Sequence, residues 1–353
     1  SDVCSSDLCS AIWTRLEFKM HAPQFWFTPP NKLHLAARLL SPIGQLYAYA
    51  TARRTAQHAT VTAQSPVICV GNLNAGGTGK TPTVIALVQL LLALGKRPHV
   101  ITKGYGGNEQ GPLEVNPRYH SADQTGDEPL LLAAFATTWV AKDRVKALRA
   151  AEKAGADVII MDDGFQDPTI RKDLSLVIVD AERGFGNAMC IPAGPLREPV
   201  AAGLARADAI LSIGPQKAQR AFKKQWGGAL DLPHFDAELK PLSMGMDWST
   251  GRYLAFAGIG HPEKFFATLR GLGAQLVHCE ALADHQSLSA TLLGRLQAQA
   301  QAQQAQLVTT EKDAARLPDD FQGDVITLPV RLEVQDTDQF TAMVKKAISA
   351  DIL

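Results

Sequence analysis

Residues 67–83 read VICVGNLNAGGTGKTPT, and no other stretch restricts the fold as sharply. A β-branched apolar run stops at a glycine-rich turn, and Gly79-Lys80-Thr81 then opens a helix, the order of a phosphate cradle. The backbone N–H groups of Gly76, Gly77, Thr78, Gly79, Lys80 and Thr81 are expected to converge on an anion, with Asn74 and Ala75 beginning the loop. Lys80 would reach the outer phosphates and the Thr81 hydroxyl would hold Mg²⁺, which implies a nucleoside triphosphate. The usual signature has glycine where this chain has Asn74. Asparagine tolerates left-handed backbone geometry, so the loop can still close.

The 353 residues allow about two domains with a sizeable core. Lys plus Arg and Asp plus Glu both number 35, so no net charge draws the chain to nucleic acid. Five cysteines without a CxxC pair fit a reducing compartment. His278, Cys279 and His285 lack a further ligand at metal-site spacing, which argues against zinc. Residues 1–19 carry two of the cysteines and little periodicity ahead of Met20, and read as a non-native leader.

Residues 33–50, LHLAARLLSPIGQLYAYA, are apolar but short for a membrane span and interrupted by His34, Arg38 and Pro42. Leu35, Leu39, Leu46 and Tyr47 can share a helix face, followed by Arg53 and Arg54. That suits a helix lying in an anionic interface, and equally a helix packed on its own domain.

Beyond the loop, a helix over residues 84–94 and a strand over 99–102 lead to Lys103-Gly104-Tyr105-Gly106-Gly107, an exposed loop at a strand end. Helices over 129–136 and 144–154 and strands over 157–161, 176–179 and 209–213 continue the alternation. The pattern predicts an α/β fold with a P-loop NTPase-like, mostly parallel sheet. A change of texture over residues 217–249 puts a boundary near Phe235. The expected division is a membrane-proximal segment at 20–60, a P-loop core at 61–235 and a smaller α/β domain at 236–353. In that last part, strands are expected over 253–257, 275–278, 306–309 and 325–328, with helices over 262–272 and 287–304.

The apolar run at residues 158–161 ends in Asp162-Asp163, which is how P-loop proteins deliver a carboxylate to Mg²⁺. Adjacent aspartates point to different sides, so one of them is nearer the metal and the sequence does not say which. Taken alone, Gly126-Asp127-Glu128-Pro129 reads as ordinary helix capping, and His285 as structural. Arg197, in Leu196-Arg197-Glu198-Pro199, could clamp a phosphate or form a surface ion pair.

Together these segments resemble the tetraacyldisaccharide 4'-kinase family of lipid A biosynthesis. Eight collinear pieces carry the likeness: GNLNAGGTGKTP from Gly71, KGYGG from Lys103, GDEPLLLA from Gly126, DDGFQ from Asp162, LREP from Leu196, GIGHPEKFF from Gly258, ADHQ from Ala283 and TTEKDAARLP from Thr309. The family, too, lacks glycine at the Asn74 position. The resemblance implies transfer of the ATP γ-phosphoryl group to the 4'-hydroxyl of tetraacyldisaccharide 1-phosphate, giving lipid IVA. It implies Asp127 as the catalytic base with His285 as its partner and Lys80 at the transferred group. Thr81 with Asp162 or Asp163 would hold Mg²⁺, and Lys103, Tyr105, Arg197 and Glu198 would wall the substrate site.

A lipid acceptor favours the interfacial reading of residues 20–54 and a monotopic protein on the cytoplasmic face of the bacterial inner membrane; no obligate protein partner is evident. Two positions depart from the family pattern. Lys103 stands where arginine is usual, and Asp167 follows DDGFQ where histidine or asparagine is common. They are expected to weaken head-group binding and add negative charge beside an anionic substrate, while sparing activity. A P-loop switch ATPase is a rival reading, but its additional signature lysine is absent, with Ala75 in that place. A membrane scaffold would leave Asp127 and His285 without a role.

Overall fold

The computed structural model describes residues 22–243, 245–283 and 286–349. The expected leader and His285 lie outside the described residues. Among the described residues thirteen strands follow the chain: β1 (Val67–Gly71), β2 (Pro98–Thr102), β3 (Leu113–Glu114), β4 (Thr138–Val140), β5 (Val158–Asp162), β6 (Leu174–Asp180), β7 (Ala209–Ile213), β8 (His234–Pro241), β9 (Arg252–Ala257), β10 (Gln275–Ala281), β11 (Gln306–Thr310), β12 (Val325–Leu328) and β13 (Val330–Val334).

Every residue of β1 is buried, so the strand needs neighbours on both edges and cover on both faces. It pairs in parallel with β5 and β6 near the centre of a nine-stranded sheet ordered β13-β8-β7-β6-β1-β5-β2-β4-β3. Only the outermost strands, β13 and β3, run antiparallel to their neighbours. One face is covered by the helix Lys80–Ala93, whose Val84, Leu87, Val88 and Leu91 share a core with Phe340 and Val344 of the helix Thr337–Ser349. The other face packs against Ala147, Leu148 and Ala151 of the helix Arg144–Lys153. A second sheet, β10-β9-β11-β12, is wholly parallel and sandwiched between the helices Pro262–Gly271 and Ala290–Ala302.

The expected division at residue 235 falls inside β8, which still belongs to the large sheet. The chain leaves that sheet after Pro241 and returns at Val330, where β13 pairs with β8. In β8 only Phe235 and Ala237 are buried, among charged residues and a proline. Phe235, Ala237 and Leu239 alternate with polar residues, the period of a half-buried strand, so its place in the large sheet was open to the sequence pattern.

The helix Leu35–Thr55 starts with His34 Nδ1 accepting from Ala36 N at 3.2 Å and ends with Arg53 and Arg54, cations that suit the negative end of the helix dipole. Its buried residues are Ala37, Gly44 and Thr51, one small residue every seven. Gly44 is required there, because a Cβ would meet the Cys190 carbonyl. Its large apolar side chains point the other way, with Leu35, Leu39 and Leu46 each about 70 % exposed and Ile43 and Tyr49 beside them. Tyr47, expected with the leucines, turns inward onto the core, since one residue rotates the side chain by about 100°. Among the described residues no helix is long and apolar enough to cross a membrane.

Candidate active site

Where β1 ends, the loop folds back on itself through Asn72, whose amide donates to the Gly76 carbonyl at 3.2 Å and to Thr78 Oγ1 at 3.0 Å. Gly79 has φ 95°, a left-handed conformation that brings the chain into the helix with Lys80 and Thr81 in its first turn. Asn74 does not take the left-handed geometry allowed for it. It forms an extended bridge with Leu196, and its amide donates to the Gly184 carbonyl at 3.0 Å. Ala75 N donates to Pro195 O at 2.7 Å. The start of the loop is thus stitched to the segment that carries Arg197 and Glu198.

Asp162 and Asp163 sit side by side in opposite electrostatic settings. Asp163 has φ 49°, which turns its carboxylate off the line of the strand. Lys80 Nζ lies 3.6 Å from its Oδ1, and Arg197 donates to that oxygen at 2.8 Å. Burial would raise its pKa, but the Lys80 and Arg197 charges outweigh it and hold the group well below the usual carboxylate range. Asp162 is 1 % exposed, takes only a 3.3 Å hydrogen bond from Thr102, and leaves Oδ1 without a partner among the described residues. Burial and the nearby Glu128 and Asp163 charges push its pKa well up. Arg144, 5 % exposed, cross-links this corner by donating to the Asp162 and Asp163 carbonyls at 3.1 and 2.7 Å.

The two departures from the family pattern meet each other. Lys103 Nζ lies 3.7 Å from Asp167 Oδ2, and Arg144 donates to the same oxygen at 2.9 Å. Burial would raise the Asp167 pKa, but hydrogen bonds from Thr169 and the Arg144 charge hold it at about 2. The extra negative charge expected beside the substrate is therefore matched by two cations. Glu198 does not wall the cleft: it is 1 % exposed, paired with Arg206, and accepts from Gln166 at 3.0 Å.

Asp127 begins the helix Asp127–Ala133 immediately after Gly126, whose φ of 90° and lack of a Cβ let it pass against the Tyr105 carbonyl. Asp127 is 8 % exposed, and its Oδ2 lies 3.2 Å from Arg316 Nη1. Lys312 lies 3.6 Å from Glu128. Arg316 and Lys312 arrive from the second sheet's side of the molecule. Neither was singled out from sequence, nor were Arg144 and Gln166. Arg144 did leave one signal, a cation in the first turn of a helix, where the dipole disfavours it.

A cleft of about 790 Å³ runs from Asp162 and Asp163 past Lys103, Tyr105 and Arg144 to Tyr47 and Arg54 on the helix Leu35–Thr55. No group of three or more His, Cys, Asp and Glu side chains suited to a metal ion occurs among the described residues.

A central parallel sheet with a glycine loop after β1 and paired aspartates at the end of β5 defines a P-loop nucleotide-binding protein. The family model for tetraacyldisaccharide-1-P 4'-kinase matches residues 36–349, and the chain belongs to that family. It is 59 % identical over 324 residues to a tetraacyldisaccharide 4'-kinase of Dinoroseobacter shibae, covering 92 % of this chain and 96 % of the relative. It is 55 % identical over 329 residues to that of a Jannaschia species, covering 93 % and 99 %. The crystal structure of LpxK from Aquifex aeolicus in complex with ATP shares the fold with a TM-score of 0.68 at 24 % identity, over 89 % of this chain and all of that one.

Proposed function

We propose that this chain transfers the γ-phosphoryl group of ATP to the 4'-hydroxyl of tetraacyldisaccharide 1-phosphate, forming lipid IVA. The observation that carries the acceptor assignment is the cleft, which joins Asp162 and Asp163 at the end of β5 to a helix that presents its large apolar side chains outward. A helix serving its own core would bury that stripe. Here it suits a bilayer surface, with Arg53 and Arg54 at its end for anionic head groups. Each buried methylene holds an acyl chain in the membrane by about 0.8 kcal/mol, so a tetraacylated acceptor stays there and the enzyme comes to it. ATP supply puts the working face on the cytoplasmic side of the inner membrane.

In this reading Asp127 orients and deprotonates the sugar hydroxyl, a poor nucleophile without a positioned base, and His285 assists it. Lys80 and the loop amides meet the charge spreading over the transferred group. Asp163 keeps Lys80 and Arg197 on station at the loop. Lys103, Tyr105 and Arg144 face the acceptor along the cleft. Thr81 and Asp162 are the residues that would hold Mg²⁺, and the buried Oδ1 of Asp162, without a partner among the described residues, fits a cation. Two protein oxygens suffice, because this ion is held largely by phosphates and water; bound there it offsets charge on the nucleotide oxygens.

The test is purified protein with γ-labelled ATP, Mg²⁺ and tetraacyldisaccharide 1-phosphate in detergent. Label in the lipid product is expected. Label released only as free phosphate would overturn the acceptor assignment.

A further inference from the structure

The TEKD segment at Thr310 has no assigned work in the phosphoryl transfer, yet its charged residues reach in three directions. Glu311 receives Arg331 of β13, whose Nη1 lies 2.9 and 2.8 Å from its two carboxylate oxygens, and the Arg331 guanidinium covers the Phe135 ring at 5.0 Å. Lys312 faces Glu128 at 3.6 Å. Asp313 is fully buried, accepts from Gly258 N at 3.0 Å and Thr310 Oγ1 at 2.7 Å, and pairs with Arg316. Arg316 in turn spans two further groups. Its Nη1 lies 3.2 Å from Asp127 Oδ2 and donates to the Gln286 carbonyl at 3.0 Å, one residue after His285.

A buried guanidinium is stable only when its charge is matched, and Asp313 already supplies one match inside the second lobe. The other nitrogen is aimed across the junction at the base. We infer that Arg316 is a positioning residue for Asp127: anchored by Asp313, it holds one carboxylate oxygen of the base and makes the orientation of the base depend on the docked second lobe. The inference rests on reading Asp127 as the base. The Glu311–Arg331 and Lys312–Glu128 pairs act beside it as the other two struts of the same junction.

The test compares steady-state kinetics of Arg316→Ala, Arg316→Lys and Asp127→Asn with wild type on ATP and the detergent-solubilised lipid. Misplacing a base by about 1 Å costs on the order of a hundredfold in rate, so Arg316→Ala is expected to lower kcat by about that factor with the KM for ATP within about threefold. Arg316→Lys recovers at least about tenfold of the loss, since it returns a charge without the fork. Millimolar guanidinium chloride restores part of the activity of Arg316→Ala and none of that of Asp127→Asn. The double variant Asp127→Asn/Arg316→Ala is no slower than Asp127→Asn, because residues acting as a unit are not additive.

Wild-type kcat in Arg316→Ala overturns the inference. So does a loss of kcat and ATP binding together that neither lysine nor guanidinium relieves. If Arg316→Ala does not fold, Arg316→Gln, which removes the charge and the fork at similar length, carries the test: kcat at least about fivefold down at constant KM supports the assignment, and unchanged kcat refutes it. A fully active Asp127→Asn would instead sink the reading of Asp127 as base, whatever Arg316 does.

Discussion

The two halves of the candidate active site are assembled on different principles. At the phosphate loop, Lys80 and Thr81 open the helix Lys80–Ala93 while Asp162, Asp163 and Arg197 come from a strand end and loops of the nine-stranded lobe, and their ion pairs close within that one lobe. Around Asp127 the partners come from elsewhere: Arg316 and Lys312 cross from beside the smaller sheet. The donor side is a preformed cradle, while the acceptor side is completed by docking. On the proposed roles, interactions that close locally would set nucleotide binding, and those that span the junction would set turnover.

The largest effect should separate the two ends outright. Asp127→Ala is expected to lower turnover by about 10²–10⁴-fold, the usual contribution of a general base, with ATP affinity within about twofold. Lys80→Ala should damage both, by kinetics and by nucleotide titration. A large loss of ATP affinity in Asp127→Ala would erase the distinction.

Within the donor end, Asp162→Asn should raise the Mg²⁺ concentration for half-maximal rate by about tenfold, since Mg²⁺ takes few protein carboxylates and one is removed. Asp163→Asn should change ATP affinity instead, through Lys80 and Arg197. Identical Mg²⁺ titrations for the two variants would mean that their different settings have no functional counterpart.

A smaller effect tests the outer face of the helix Leu35–Thr55. Leu39→Ser with Leu46→Ser removes about 1.5–3 kcal/mol of apolar transfer per residue, so co-sedimentation with anionic vesicles should fall at least about tenfold. Activity on the detergent-solubilised lipid should stay within about twofold. Unchanged vesicle binding would end the membrane role of this face.

The smallest effect belongs to the loop's first residue. Asn74→Gly restores the common signature but removes the bond to Gly184, and should lower unfolding free energy by about 1 kcal/mol in urea with activity nearly unchanged.

Much of the donor end was legible because its parts are contiguous: an apolar run, a glycine turn and a lysine, then an apolar run and two aspartates. β5 and β7 lay within a residue or so of expectation for the same reason. What stayed hidden was whatever depends on convergence. Arg144 and Arg316 look like surface helix cations until the fold buries their side chains to 5 % exposure. β4 is too short at three residues to show a period, whereas β8 and β13 do alternate apolar with polar residues (Phe235, Ala237, Leu239; Val330, Leu332, Val334), a legible signal that the expected division passed over. Tyr47 and Tyr49 both fit an apolar stripe in sequence, and only packing tells which one faces the protein. The Lys103–Asp167 contact was also beyond reach, because two departures 64 positions apart give no sign that they compensate.

The return of the chain at Val330 also sets an order of events at the ribosome. Domains emerging during synthesis ordinarily fold from the N-terminus as units. Here the large sheet gains its β13 edge, and Phe340 and Val344 close its second core, only after the whole smaller sheet has been made. The nascent nucleotide lobe must therefore wait with an open edge and an uncovered apolar face while about ninety further residues are translated, a window of some 5–20 s at the usual elongation rate. A stop codon in that window would leave the phosphate loop intact in sequence and the sheet beneath it unfinished.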